Sequence, residues 1–276
     1  MLHRYWNRRY LKGLIRYTLE ALGEETVLFG VLLPFWPDLL KNKWWFFIAA
    51  LVIAVLWAIF SMRRKMPEQD FPESITIKLV EGDLFEQNAS ALVGMTTTFD
   101  TDFDIISQNS VQGNFLKQIY GGSQSQLDNE LVSALKNSQV VDTIEKPGKK
   151  DIYQLGTVAV LSGKGTIKYY YVAYTSMDVE NRAKGSICGI LESLCKVWEA
   201  VDRHNNGEPI CVPLLGQGQS RIPELTPEVS VRIIALSFLI YARRKRFSKE
   251  LRIVIHPEEI HKINFADFQS FLSSVA

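Results

Sequence analysis

The stretch VPLLGQGQSR, Val212–Arg221, runs from an apolar, strand-like segment into two glycines separated by one residue. Beyond Pro223 it feeds a long apolar helix, opened by Thr226 as N-cap, Pro227 at the first helical position and Glu228 in the first turn. Glycines let a backbone approach a ligand closely, and amides in a turn after a strand can face an anion. No lysine follows the glycines, so the pattern of a nucleotide-hydrolysing P-loop is absent. A Gly-x-Gly turn is more often only a turn, and its meaning depends on what the rest of the chain brings beside it.

Outward from this stretch, short β-rich segments alternate with helical ones. SITIKLV (Ser74–Val80), ASALVGM (Ala89–Met95) and LRIVIHP read as strands, and GTVAVL with KYYYVAYT (Lys168–Thr175) as a hairpin. Ser110–Gly121, Gln124–Ser138 and NFADFQSFLSS read as helices. GSICGILESLCKVWEAVDRHN carries apolar residues at helical spacing through Ile187, Leu191, Leu194, Val197 and Val201. Such alternation predicts a layered α/β domain with a mostly parallel sheet over residues 74–276. KMPEQDFPES, with two prolines and mixed charge, places a linker at 66–73.

The first 65 residues differ in kind. Trp44–Met62 contains no charged residue and, as a helix, would rise roughly 28 Å, close to a bilayer's hydrocarbon core. Tryptophans open it, and Arg63, Arg64 and Lys65 follow as a basic anchor. The upstream apolar segment TVLFGVLLPFW is short, and its extension back to Leu19 takes in Glu20, Glu24 and Glu25, which are costly in lipid. The expectation is a hairpin of two transmembrane helices, about 19–36 and 44–62, behind a basic N-terminal amphipathic stretch. Both flanks are positive, which puts both termini in the cytoplasm. One span preceded by an interfacial amphipathic helix stays open as the alternative.

Composition excludes several classes of function. A formal charge of +1 on 276 residues provides no field for nucleic acid. Cys188, Cys195 and Cys211 lack C-x-x-C spacing and read as reduced core thiols, the first two on one helix face. Four scattered histidines offer no metal-ligand pattern.

Three turns can carry ligand chemistry. One is Leu215, Gly216, Gln217, Gly218, Gln219 and Ser220, with Ser220 as a hydroxyl donor. Another is Asn109, Ser110, Val111, Gln112 and Gly113, which opens a helix whose positive end suits an anion. The third is EGDLF, Glu81–Phe85, where Asp83 either caps a turn or accepts a hydrogen bond from an adenine amino group.

Taken in order, GDLF, ALVGM, NSVQGNFLKQIYGG, VPLLGQGQSRIP and LRIVIHPEEI resemble the macro domain, the family that binds ADP-ribose, over about Ser74–Ala276. The resemblance implies a three-layer α/β/α sandwich with a mixed, mostly parallel sheet. It implies Asp83 and Leu84 at adenine, Asn109 to Gly113 as the first phosphate loop and Leu215 to Ser220 as the second. His256 would pack at the adenine end. Hydrolytic members carry an asparagine-bearing stretch at the distal ribose; this chain has Gly94-Met95-Thr96-Thr97-Thr98, followed by the acidic FDTDFD. The departure implies binding without turnover, with no catalytic residue, metal or cofactor, and with Thr97 and Asp102 among the ligand contacts. Asp100, Asp102 and Asp104 would attract a cationic distal group, or form a solvated loop.

A membrane hairpin joined to such a domain resembles the effectors of type II Thoeris anti-phage defence. The resemblance implies a signal, histidine–ADP-ribose, made by a partner TIR-domain enzyme. It also implies homo-oligomerisation, disruption of membrane lipid to cause abortive infection, and a place in the bacterial inner membrane with the macro domain in the cytoplasm. A membrane-anchored ADP-ribosyl hydrolase is the alternative.

Overall fold

A computed structural model of the chain describes residues 18–19, 23, 44–61, 66–72, 74–218 and 222–276, which fall into two units, Met1–Lys65 and Met66–Ala276. In the first unit, helix α1 (Trp44–Ser61) is 18 residues long and carries no charge. Among the described residues no helix is long and apolar enough to cross a membrane. The segment expected as a span at 44–62 is helical over Trp44–Ser61. Of the expected first span, about 19–36, only Leu19 and Gly23 are among the described residues; the rest of it, the turn up to Lys43 and the basic anchor Arg63–Lys65 lie outside them.

The second unit opens with strands β1 (Glu68–Phe71), β2 (Ile75–Glu81) and β3 (Ser90–Thr96), followed by a separate hairpin of β4 (Val140–Thr143) and β5 (Asp151–Tyr153). The remaining strands are β6 (Val158–Ser162), β7 (Lys168–Met177), β8 (Ala183–Gly185), β9 (Ile210–Pro213) and β10 (Glu250–Ile255). Apart from the hairpin, these form one eight-stranded mixed sheet. Its order is β1-β2-β10-β9-β3-β7-β6, with β8 also paired to β7. The run from β2 to β7 is parallel throughout; β1, β6 and β8 add antiparallel edges.

Alternation along each strand sends side chains to two cores, one on each face of the sheet. Tyr169, Tyr171, Cys211 and Val254 enter one core with Val93, beneath α2 (Val111–Tyr120) and α3 (Gln124–Leu135). Tyr170, Val172, Ile210, Val212, Ile253 and Ile255 enter the other, packed against α4 (Ile187–His204), α5 (Pro227–Ala242) and α6 (Phe265–Ser274). The α/β/α layering expected from the sequence is what forms. Helix starts follow local chemistry: Ser110, Ser186 and Thr226 each accept a hydrogen bond from the amide three residues on. Pro227 occupies the first turn of α5, as its fixed φ favours.

Three expectations are revised. Residues 68–71, read as linker, form edge strand β1, where flanking Pro67 and Pro72 cost no ladder bonds. Gln269 Nε2 also donates to the Glu68 carbonyl at 3.1 Å, tying β1 to α6. Cys188 and Cys195 do share one face of α4, but it is the exposed face; only Cys211 is buried, and burial pushes its thiol up to about 12. The apolar stripe of α4 runs through Ile190, Leu194, Val197, Trp198 and Val201, leaving Leu191 exposed. The β4–β5 hairpin was not legible at all, because all four residues of β4 are exposed and no alternation marks it.

Candidate ligand-binding site

Because β2, β10, β9, β3 and β7 are parallel neighbours, their carboxyl ends share one edge of the sheet. Four interstrand steps separate the ends of β2 and β7, about 19 Å at the usual strand spacing. A cavity of about 720 Å³ lies along this edge, and a smaller one of about 100 Å³ continues it toward Asp83. Val111, Asn114, Pro213, Leu214, His256 and Glu259 line both.

At the β2 end, Asp83 Oδ1 accepts from the Phe85 amide at 2.7 Å and Oδ2 from Gln118 Nε2 at 2.8 Å. The carboxylate therefore caps its own turn and is fixed in place by α2. Leu84 is buried and lines the smaller cavity with it. His256 follows β10 directly and is exposed, with Glu258 and Glu259 beside it on the cavity wall.

In the middle, Asn109, Ser110, Val111 and Gln112 present the start of α2 to the cavity. Ser110 is committed to capping: its hydroxyl donates to the Ser107 carbonyl at 2.6 Å and accepts from the Gly113 amide at 3.1 Å. Gly113 itself lies below the surface, where an added Cβ would meet Ser107 O at 2.4 Å. The amides of Val111 and Gln112 have no acceptor among the described residues, as expected of the first turn of a helix. Unpaired amides at the start of a helix suit an anion. Gln112 Nε2 reaches across to the Gly94 carbonyl at 2.6 Å and joins α2 to the end of β3.

Opposite stands the loop after β9. Buried Ser230 of α5 clamps its base, accepting from the Leu215 amide and donating to the Leu215 carbonyl. Gln217 folds back to donate to the Leu225 carbonyl at 2.7 Å. Gly216 has φ +74°, and a Cβ there would stand 2.4 Å from Leu225 Cδ2. Leu215, Gln217 and Gly218 line the cavity. Gln219 and Ser220 lie outside the described residues.

The acidic segment is organised differently from what its composition implies. Asp100 is buried and ion-paired with Lys146, Nζ to Oδ2 2.9 Å. It also accepts from the Thr98 hydroxyl at 2.5 Å and the Lys149 amide at 2.8 Å. Its charge is spent on pinning the segment before β5 and does not face a ligand. Asp102 caps a turn by accepting from the Asp104 amide at 3.0 Å. Thr97 is buried, its backbone bonded to Thr175 and Tyr153. Neither Thr97 nor Asp102 lines the cavity. They were expected there because the sequence places them after β3, but the chain turns inward at that point to complete the core.

What the sequence did not reveal is the wall at the β7 end. Tyr174, Thr175, Met177, Asn181 and Arg182 all line the cavity. The turn between β7 and β8 is built on Asp178, whose Oδ1 accepts from the amides of Glu180 at 3.0 Å and Arg182 at 2.8 Å. The Arg182 amide is the main reason the Asp178 carboxyl sits below the ordinary carboxylate range. The string MDVENR held the signal, an aspartate poised to bond amides ahead of it and an asparagine suited to the left-handed φ of +56° at Asn181.

Known proteins are similar to this chain in sequence and in fold. The family model "Thoeris protein ThsA, Macro domain" matches residues 76–256. The chain is 25% identical over 204 residues to the Thoeris protein ThsA of Bacillus amyloliquefaciens (strain Y2), covering 71% of this chain and 67% of that protein. Among solved structures, a mutant of the Oceanobacillus iheyensis macrodomain superposes with a TM-score of 0.51 at 11% identity, covering 77% of this chain and 98% of that one. The same macrodomain with ADP gives a TM-score of 0.50 at 10% identity, covering 77% and 100%. At such identity the structures speak for the fold alone.

Proposed function

Because the chain belongs to the family of the Thoeris protein ThsA macro domain, we propose that it is a defence protein that binds an ADP-ribose derivative. The ligand lies along the carboxyl ends of β2 to β7. The observation that carries this reading is the cleft itself: about 19 Å between strand ends, with the carboxylate of Asp83 at one end and amide donors of α2 midway. The adenine amino group donates to Asp83, the diphosphate meets the amides of Val111 and Gln112, and the loop at Gly216–Gly218 covers it.

Binding without turnover is the better fit. The lining carboxylates Glu258 and Glu259 follow β10, three strands from the β7 end where the distal ribose lies. The hydroxyl of Thr98 turns inward to Asp100, so it provides no base there either.

In this reading the signal is histidine–ADP-ribose made by a partner TIR-domain enzyme, and its capture drives homo-oligomerisation at the bacterial inner membrane, with the cleft on the cytoplasmic side. The bilayer is then disrupted and infection aborts. Support for membrane contact comes from α1, where Ile48, Leu51, Ile53, Leu56 and Trp57 are all exposed on an uncharged helix. A ligand shifts assembly only by binding the assembled state more tightly. The test is calorimetric titration of the purified full chain with ADP-ribose and with histidine–ADP-ribose, followed by mass spectrometry of the recovered ligand and sizing of the protein. Absence of binding to both ligands would refute the reading; conversion of the ligand would favour a membrane-anchored hydrolase instead.

A further inference from the structure

The two ends of the cleft differ in charge. Asp83, Glu258 and Glu259 line the end at β2 and β10. At the β7 end the acidic segment has withdrawn its Asp100 into the pair with Lys146. Arg182 is the sole lysine or arginine lining either cavity among the described residues. Its backbone is held by Asp178, and neighbouring Asn181 lies 3.4 Å from the Pro147 carbonyl through Nδ2. The guanidinium, by contrast, is loosely held: its partner Glu180 is 3.7 Å away and both side chains are more than half exposed. An exposed pair of this kind contributes little and exchanges readily for a better anion. A guanidinium offers paired donors that match a carboxylate or phosphate.

We propose that Arg182, presented by the Asp178–Arg182 turn, reads an anionic substituent on the distal end of the ligand. The inference rests on the cleft being an ADP-ribose site and adds the charge of the group that the site selects. It differs from the expectation from sequence, in which three aspartates at this end either attract a cation or form a solvated loop. The chemical class is an ADP-ribose carrying a carboxylate or phosphate on its distal ribose, and Arg182 replaces Glu180 with that group on binding.

The probes are ADP-ribose and ADP-ribose 1″-phosphate, titrated into the full chain. The wild-type protein is expected to prefer the phosphorylated probe. Arg182→Ala should weaken that probe by about tenfold, the scale of one charge-assisted contact, while ADP-ribose changes less than about threefold. Arg182→Lys should retain part of the preference, and Glu180→Gln should strengthen it by removing the competing carboxylate. Equal affinities of wild type and Arg182→Ala for the phosphorylated probe would overturn the inference, as would equal losses for both probes. Those outcomes leave ADP-ribose binding by the wild type intact, whereas failure of the wild type to bind either probe removes the proposed function and this inference with it.

Discussion

Lys146 Nζ lies 2.9 Å from Asp100 Oδ2, with the two side chains 0% and 1% exposed. The pair joins the segment after β3 to the hairpin that leads into β5. Its surroundings are equally tight: Gly148, at φ +87°, leaves no room for a Cβ between Ile105 and the Asp100 carboxylate. Ile105 in turn lines the cleft.

Removing one member of a buried pair strands the other charge, which typically costs about 3–5 kcal/mol. Lys146→Met should lower the unfolding free energy on that scale in urea titrations. The double variant Lys146→Met with Asp100→Asn should recover part of the loss. Because Asp100 does not line the cleft, the affinity of Asp100→Asn for ADP-ribose at temperatures where it stays folded should match wild type. A large loss confined to affinity would place Asp100 at the ligand after all.

Asp83 serves two roles that substitution can separate. Asparagine keeps an oxygen for the Phe85 amide but gives up the second carboxylate oxygen, which Gln118 now occupies. Asp83→Asn should therefore change stability by only about 0.5 kcal/mol. Affinity for ADP and ADP-ribose should fall together, by several-fold, because both carry the adenine that this end receives. Calorimetry with the two ligands reads the result.

The two glycines of the late loop are not equivalent. Gly216 has a positive φ and a crowded Cβ direction, whereas a Cβ on Gly218 meets nothing within 4 Å. Gly216→Ala should destabilise the chain by more than about 1 kcal/mol through strain. Gly218→Ala should fold like wild type, and Gly218→Trp should remain folded but lose ligand by crowding the cavity it lines. Thermal melts with and without ADP-ribose distinguish the three.

For membrane contact the informative position is Ile53, 58% exposed on uncharged α1. Arginine at the centre of a membrane-inserted helix costs about 2.5–3.5 kcal/mol. Ile53→Arg should reduce co-flotation of the full chain with lipid vesicles while leaving its affinity for ADP-ribose unchanged. Equal flotation of variant and wild type would argue that α1 does not enter lipid.

The reach of sequence reasoning follows from the range of the forces involved. Strand alternation, the serine and threonine caps and the proline at the start of α5 are local, so SITIKLV, NSVQGN and LTPEVS announced their elements directly. The grouping of the glycine turns with Asp83 and His256 was readable only through the resemblance to the macro domain; that these turns share one edge follows from the parallel sheet. Tertiary structure alone decided which polar groups line the cleft. Asp100 was one of three similar aspartates until Lys146, 46 residues away, buried and neutralised it. Arg182 was one basic residue among many until the pairing of β8 with β7 brought it to the far end of the cleft. Charge is written in the sequence, but its solvation and its partner depend on contacts between distant segments, and these set whether a group holds the fold or meets a ligand.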